Sequence, residues 1–302
     1  MSIVRRKILL TGKNGQVGWE LERSLQPLGQ VFAFDRVGMD LADPDSIRRI
    51  IRDVKPDLII NAAAYTAVDK AESEPDLAMA INGVAPGIMA EEAKRLGAAL
   101  IHYSTDYVFG GTKVGPYTED DMPNPISVYG ETKLAGERAI QAVGVPHMIF
   151  RTSWVYGARK KNFLLTVLRL AKERDELRIV DDQIGAPTWC RMIAEATAQI
   201  VALTYFPVVH RAASFDDRSG IYHLTASGKT SWFGFTQAIL EHNYADSSHQ
   251  LPTVNPITSA EYPLPAKRPR NSTMSTQKLI ETFSLEMPAW NHALRLCLAL
   301  PN

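Results

Sequence analysis

Between Lys7 and Leu25 the chain leaves little choice of fold. Lys7-Ile8-Leu9-Leu10-Thr11 is an apolar run of strand length, Gly12-Lys13-Asn14-Gly15-Gln16-Val17-Gly18 follows at once, and Leu21 and Leu25 continue at helical spacing. Strand, glycine-rich turn and helix in that order aim a helix N-terminus and free backbone N–H groups at a pyrophosphate. The glycines fall as G-x-x-G-x-x-G, a departure from the G-x-G-x-x-G fingerprint, and a plain strand-to-helix turn reads the same way. Two further runs favour a dinucleotide site. Val31-Phe32-Ala33-Phe34 ends at Asp35, about the ~20 residues on at which an acid binds a ribose hydroxyl. Leu58-Ile59-Ile60 ends in Asn61-Ala62-Ala63-Ala64, small residues that let a cofactor approach the backbone. Arg36 follows Asp35 directly and suits a 2′-phosphate as well as Asp35 suits a free hydroxyl, so NADH and NADPH both stay open.

Apolar runs at 7–11, 31–35, 57–62, 98–104 and 147–152 predict strands, and helical patterns lie between them at 17–27, 44–54, 76–96 and 130–142. This alternation predicts an α/β fold, a Rossmann-type doubly wound parallel sheet. Asp43-Pro44 and Glu74-Pro75-Asp76 mark helix starts, with a capping residue before a proline in the first turn. Beyond Arg151, proline and glycine break the pattern, and 243–270 is rich in loop signals. A chain of 302 residues suffices for one large or two intimate domains. We expect 1–155 to form the dinucleotide-binding domain. Residues 156–302 should form mainly a smaller C-terminal substrate-binding lobe, with some segments returning to the core of the first domain.

Composition excludes several classes of partner. Lysine plus arginine and aspartate plus glutamate number 33 each, the formal net charge is zero, and the cations are scattered. Nucleic acid is not implied. No apolar run approaches the ~20 residues of a membrane span, and Met1–Arg6 is followed by no long apolar segment of the kind a signal peptide needs. The two cysteines, Cys190 and Cys297, make no metal-spaced cluster, which points to a reduced, cytoplasmic chain and no metal site.

Tyr129 and Lys133 lie four apart in Ser127-Val128-Tyr129-Gly130-Glu131-Thr132-Lys133-Leu134, on one face of a predicted helix. An ammonium beside a phenol stabilises the phenolate and should draw the tyrosine pKa towards neutrality. Such a tyrosine exchanges a proton with an alcohol or ketone. A surface tyrosine beside a solvated lysine has the same spacing, so the pair needs its context. Upstream, Ala99-Leu100-Ile101-His102-Tyr103 runs into Ser104-Thr105-Asp106-Tyr107-Val108-Phe109 and places hydroxyls at the carboxyl end of a strand, where parallel sheets bind ligands. Thr105 could there hold a substrate carbonyl against Tyr129.

Taken together, the glycine loop, Asn61–Ala64, Ser104–Phe109 and Tyr129–Lys133 resemble the extended short-chain dehydrogenase/reductases. Within that superfamily, Thr66-Ala67-Val68-Asp69-Lys70-Ala71-Glu72, Phe150-Arg151-Thr152-Ser153-Trp154-Val155-Tyr156, Asp182-Gln183-Ile184-Gly185-Ala186-Pro187-Thr188, Tyr222-His223-Leu224 and Arg268-Pro269-Arg270-Asn271-Ser272 resemble the dTDP-4-dehydrorhamnose reductase family. The resemblance covers nearly the whole chain. It implies reduction of dTDP-4-dehydro-β-L-rhamnose at C4 with NADPH or NADH. That is the last step towards dTDP-L-rhamnose, a precursor of O-antigen lipopolysaccharide and other cell-surface polysaccharides. It implies Tyr129 as general acid, Lys133 as the group that lowers its pKa and binds the nicotinamide ribose, and Thr105 as the ligand of the reacting oxygen. Gly12, Gly15, Gln16 and Val17 would hold the pyrophosphate and Asp35, with Arg36, the adenosine ribose. Asp40 and Leu41 would lie by the adenine, and Ala63, Ala64, Tyr65 and Thr66 by the nicotinamide. Asp106, Val108 and Trp154 would join Thr105 in contacting the sugar. Arg268, Arg270 and backbone groups near Gly185–Thr188 are candidates for the diphosphate.

One departure bears on assembly. Some family members pair through Mg²⁺ held by glutamates, and Arg191 and Asn291 stand where those acids align. Arginine offers a hard cation no oxygen, so Mg²⁺ is not expected, and a monomer or a metal-independent homodimer is. Two other readings fit the motifs: another NAD(P)-dependent nucleotide-sugar reductase or epimerase, and a non-catalytic NADP-binding regulatory subunit resembling the methionine adenosyltransferase β-subunit.

Overall fold

The structure, a computed structural model, describes residues 5–205, 215–244 and 251–300. The first half runs β1 (Lys7–Thr11), α1 (Gln16–Ser24), β2 (Gln30–Phe34), α2 (Pro44–Val54), β3 (Leu58–Asn61), α3 (Val68–Ala71), α4 (Pro75–Met79), α5 (Ala85–Leu96), β4 (Ala99–Thr105), α6 (Val128–Val143) and β5 (His147–Thr152). The second half adds β6 (Val155–Tyr156), α7 (Phe163–Glu173), β7 (Glu176–Val180), β8 (Ile184–Gly185), β9 (Thr188–Trp189) and α8 (Cys190–Tyr205). It continues with β10 (Gly220–His223), β11 (Thr230–Ser231), α9 (Trp232–Tyr244), β12 (Thr253–Ile257), α10 (Gln277–Phe283) and α11 (Trp290–Leu298).

Six parallel strands form the central sheet in the order β2-β1-β3-β4-β5-β10. Period-2 alternation sends neighbouring residues of each strand to opposite faces. Ile8, Leu10, Ile60, Ile101 and Met148 pack with Leu21 of α1, Leu25 just after it, and Ile193 and Ile200 of α8. Leu9, Ile59, Leu100 and Ile149 pack with Ile47, Ile51, Met89 and Ile140 from α2, α5 and α6. Each fully buried Leu or Ile side chain stabilises the fold by about 1.5–3 kcal/mol, so a sheet covered on both sides reads as unbroken apolar runs. The strand order reverses between β1 and β3, and this switch point opens the crevice above the glycine loop.

Several expected elements change shape. The helix predicted over 76–96 is α4, a π-helical turn at Ala80–Val84, and α5. Pro86 has no N–H to return to the carbonyl of Asn82, four residues back, and the wider turn absorbs the mismatch. The helix predicted to 27 ends at Ser24, and Gln26–Leu28 is a 3₁₀ turn containing Pro27. The sixth sheet strand, β10, was not among the predicted strands, because Gly220-Ile221-Tyr222-His223 is short and opens on glycine. Of the loop-rich 243–270 tract, 253–257 is a strand paired with β7, and 245–250 lies outside the described residues. Tyr156, Leu164, Val167, Trp189, Phe235, Ile239 and Leu294 form a separate core for the second half.

Candidate functional site

A cavity of about 720 Å³ lies over the carboxyl ends of β1, β3 and β4. Gly12 and Gly15 form its floor. Gly12 has φ +73°, and a Cβ there would sit 2.9 Å from the Ala62 carbonyl and the Ala63 nitrogen. Only glycine fits this crossing of β1 and β3. Gly15 N donates to Gly12 O at 2.8 Å, but the first turn of α1 has no side-chain cap, so the N–H groups of Gln16 and Val17 are available to an anion. Asp35 lines the adjoining wall and accepts hydrogen bonds from Gly38 N at 3.1 Å and Asn14 Nδ2 at 3.1 Å. The Gly38 bond, more than nearby Lys13, holds its carboxyl below the usual range. Arg36 is exposed, with Nε 3.8 Å from Asp40 Oδ2. Arg36, Asp40 and the largely buried Leu41 line the same end. Ala63, Ala64, Tyr65 and Thr66 line the opposite side. The π turn clamps this segment: Asn82 Oδ1 accepts from Tyr65 N at 2.8 Å and its Nδ2 donates to Tyr65 O at 3.1 Å.

Tyr129 and Lys133 reach the inner wall from α6. Ser127 caps this helix by accepting from Gly130 N at 3.2 Å. A Cβ on Gly130 would stand 2.2 Å from the Tyr107 carbonyl, so the glycine lets the helix lie directly on the loop after β4. The Lys133 ammonium is buried; it donates to the Tyr103 carbonyl at 2.6 Å and lies 3.1 Å from His102 Nε2. Burial brings its pKa down to about 8 against the opposing pull of Glu137. The expected effect of Lys133 on Tyr129 is not met in this arrangement. Burial pushes the Tyr129 phenol up to about 12, a hydrogen bond with Thr105 working against it, and the ammonium is turned to β4 instead. Tyr129 is therefore a neutral proton donor throughout the ordinary pH range.

Thr105 lies between Tyr129 and Asp106: its hydroxyl donates to Asp106 Oδ1 at 2.9 Å and accepts from Tyr107 N at 3.1 Å. Asp106 also accepts from Ser153 Oγ at 3.1 Å, and burial carries its carboxyl up to about 6 despite bonds to Ser272, Thr105 and Ser153. Tyr129, Thr105 and Asp106 thus form one hydrogen-bonded series that ends on a carboxylate acceptor.

Two expectations change. Val108 is fully buried among Phe109, Tyr117, Leu134 and Met274, so its side chain has no surface to offer a sugar. The backbone from Gly185 to Thr188 is also buried, Gly185 beneath the Trp154 ring and Thr188 Oγ1 bonding Ala186 O and Ala226 N, and it serves packing rather than anion binding. Trp154 adopts φ +47° and stacks on Trp232 with ring centroids 3.5 Å apart at 2°. A left-handed tryptophan costs on the order of 1–3 kcal/mol and is found where packing or a site demands it. Trp232 Nε1 donates to Gln183 Oε1 at 3.2 Å, and Gln183 borders a second cavity of about 680 Å³ with Ser259, Tyr262, Arg268 and Arg270. Arg268 makes a two-point pair with Asp69 at 3.0 and 2.7 Å, and Arg270 is exposed. Arg191 Nε bonds Glu20 Oε2 at 3.3 Å and Asn291 is exposed.

His102, Ser153, Asn82 and Asn14 were missed as site residues. The available signal for His102 was a polar residue inside an apolar strand run, for Asn14 its place in the glycine loop, and for Ser153 its place in the Phe150–Tyr156 string; Asn82 carried none, since its role depends on which distant segment it meets. Among the described residues no helix is long and apolar enough to cross a membrane, and no group of three or more His, Cys, Asp or Glu is placed to hold a metal ion.

A family model described as the RmlD substrate binding domain matches residues 6–301. A dTDP-4-dehydrorhamnose reductase of Burkholderia thailandensis is 49% identical over 294 residues, covering 96% of this chain and 97% of that protein. One of Escherichia coli is 46% identical over 288 residues, covering 94% of each. Among solved structures, a dTDP-4-dehydrorhamnose reductase from Bacillus anthracis in complex with NADP superimposes with a TM-score of 0.86 at 33% identity, over 97% of this chain and 98% of that one.

Proposed function

Since the chain belongs to the RmlD substrate binding domain family, we propose that it reduces dTDP-4-dehydro-β-L-rhamnose to dTDP-β-L-rhamnose with NADPH or NADH. The observation that supports this reading most is Tyr129 and Lys133 together on the inner wall of the switch-point cavity, with Thr105 hydrogen-bonded to Tyr129 behind it. The groups there fit a nicotinamide dinucleotide: a glycine crossing that excludes any Cβ, an uncapped helix N-terminus for the pyrophosphate, and an acid at the ribose end. Bound there, the dihydronicotinamide supplies a hydride to the substrate's C4 carbonyl carbon.

The residues of this chain do the rest. Thr105 orients the carbonyl oxygen beside Tyr129. Tyr129, neutral because it is buried, gives its phenol proton to the oxygen as negative charge develops there. Lys133, its ammonium held by β4, serves the nicotinamide ribose from the same cavity wall, and Asp106 fixes the Thr105 hydroxyl by accepting from it. Asp35 and Arg36 serve the adenosine ribose, and Asp40 and Leu41 the adenine side. Arg270, with Arg268 held in place by Asp69, serves the sugar diphosphate, and Trp154 walls the sugar. Residues 1–155 act as the dinucleotide domain and 156–302 mainly as the substrate lobe, working in the cytoplasm as a monomer or metal-independent homodimer. The test is nicotinamide absorbance with dTDP-4-dehydro-β-L-rhamnose: oxidation that depends on the sugar is expected. A folded protein that binds NADPH yet oxidises neither cofactor would instead be a regulatory subunit.

A further inference from the structure

His102 stands within β4, is 1% exposed, and has no part in the reaction as described above. Its ring nitrogens touch two different elements. Nε2 lies 3.1 Å from Lys133 Nζ on α6. Nδ1 lies 3.0 Å from Asn61 Nδ2 at the end of β3. Asn61 Oδ1 accepts from the Thr11 hydroxyl at 2.7 Å and from Ala63 N at 3.3 Å. Thr11, Asn61, His102 and Lys133 are all buried and form one chain across β1, β3 and β4, beneath the cofactor cavity.

A neutral imidazole has one donor and one acceptor nitrogen. Two arrangements satisfy this chain. With Lys133 charged, Nζ donates to Nε2, the ring proton sits on Nδ1, and the Asn61 amide turns its oxygen to the ring and its nitrogen to Thr11. The Thr11 hydroxyl is then free to donate into the cavity it lines. With Lys133 neutral, Nε2–H donates to Nζ, Nδ1 accepts from the Asn61 nitrogen, and the Asn61 oxygen accepts from Thr11. The Ala63 N–H serves both, lying 3.3 Å from Thr11 Oγ1 and 3.3 Å from Asn61 Oδ1. The arrangements differ by one proton on the Lys133–His102 pair, and the ring is neutral in each. Burial and the Lys133 charge keep the imidazole from protonating, holding its pKa well below the usual value.

We propose that His102 is a positioning residue for Lys133, holding its side-chain nitrogen against the Tyr103 carbonyl in both charge states through a hydrogen-bond chain that reverses when the lysine gains or loses its proton. This rests on the assignment of Tyr129 and Lys133 made above. The other titratable or charged groups around Lys133 are Tyr129 and Glu137 on α6, Tyr103 on β4 with its hydroxyl on Thr197 of α8, and Arg151 on β5, which Glu137 binds at 3.0 and 2.7 Å. Glu137 is thereby committed to Arg151, which leaves His102 and the Tyr103 carbonyl as the direct partners of the ammonium.

The test combines ¹⁵N spectra of the imidazole with two variants. In the wild-type protein, titrated from about pH 6 to about pH 10, the His102 proton should move from Nδ1 to Nε2 as Lys133 discharges, with no doubly protonated ring. His102→Phe should lower kcat at least about tenfold and shift the alkaline limb of the pH–rate profile to lower pH, because the ammonium loses an acceptor. His102→Gln, whose amide presents either an oxygen or a nitrogen, should recover the rate to within about threefold and restore the limb. A tautomer that never changes, or a Gln variant no better than Phe with the limb unmoved in both, would overturn the proposal. Should the Phe variant not fold, the wild-type spectra and His102→Gln decide alone. A Tyr129→Phe control with wild-type turnover would instead sink the catalytic assignment, while the spectra still decide the contact between His102 and Lys133.

Discussion

The cavity at the switch point and the cavity beside Arg268 are of similar size, about 720 and 680 Å³, but they are built differently. The first is walled mainly by segments at the ends of neighbouring strands, 11–17, 35–41 and 62–67, with Tyr103, Tyr129, Lys133 and Thr152 completing its inner side. The second draws on 110–112, 126, 183 and 259–270, and its shape depends on long-range pairs such as Asp69 with Arg268, 199 residues apart. Groups pinned by adjacent strands keep their geometry whatever the rest of the chain does. Groups on loops keep theirs only while distant partners hold them. The first region should therefore lose function when chemistry or backbone is altered, and the second when a tether is cut.

The largest effect should come from Tyr129→Phe, which removes the proton donor and leaves the glycine loop alone. Turnover should fall by about 10²–10⁴-fold, with the dissociation constant for NADPH held within about threefold. Single-turnover kinetics showing less than a threefold loss would remove Tyr129 from the acid's role. Gly12→Ala should follow, since φ +73° and a 2.9 Å approach to Ala62 and Ala63 admit no Cβ. We expect a loss of about 1–3 kcal/mol in stability together with weakened cofactor binding by fluorescence titration. Unchanged NADPH affinity would show that the crossing does not shape the pyrophosphate site.

In the second region, Asp69→Asn should free the loop carrying Arg268. A broken two-point pair at a partly buried site should raise KM for the sugar nucleotide by roughly tenfold while NADPH binding stays constant. A parallel change in both constants would erase the distinction between the two cavities. The pH profile returns to the first region. The lysine is charged below about 8 and neutral above it, because burial depresses its pKa. Turnover should therefore decline above about pH 8, by up to about tenfold per unit, and a flat profile to pH 10 would mean that the ammonium is dispensable. A smaller effect is expected from Arg36→Ala: the exposed arginine should favour NADPH over NADH by only a few-fold, about 1 kcal/mol or less. Equal changes in the two dissociation constants would show that Arg36 does not reach the 2′-phosphate. Smallest of all, chelation with EDTA should leave activity and sedimentation unchanged. A dimer that dissolves on chelation and returns with Mg²⁺ would mean that other carboxylates, Glu195 or Glu286 for example, hold a metal.

The sequence by itself determined the sheet from β1 to β5, the crevice at its switch point, and the glycine loop and strand ends that form much of its wall. The reason is local: burial on both faces makes each strand an unbroken apolar run, and a glycine crossing or a helix cap is written within a few neighbouring residues. Only the tertiary structure decided the rest. It brought Gly220–His223 to the sheet edge and α8 onto its face, contacts that rest on pairings across the chain. It moved Val108 into a core by packing it on Met274, far along the sequence. Spacing put Tyr129 and Lys133 on one helix face, but the sense of their pKa shifts followed from burial and from which acceptor the ammonium met. That acceptor was the Tyr103 carbonyl, with His102 beside it. Desolvation depends on everything that surrounds a group in three dimensions, and a linear pattern carries no record of it.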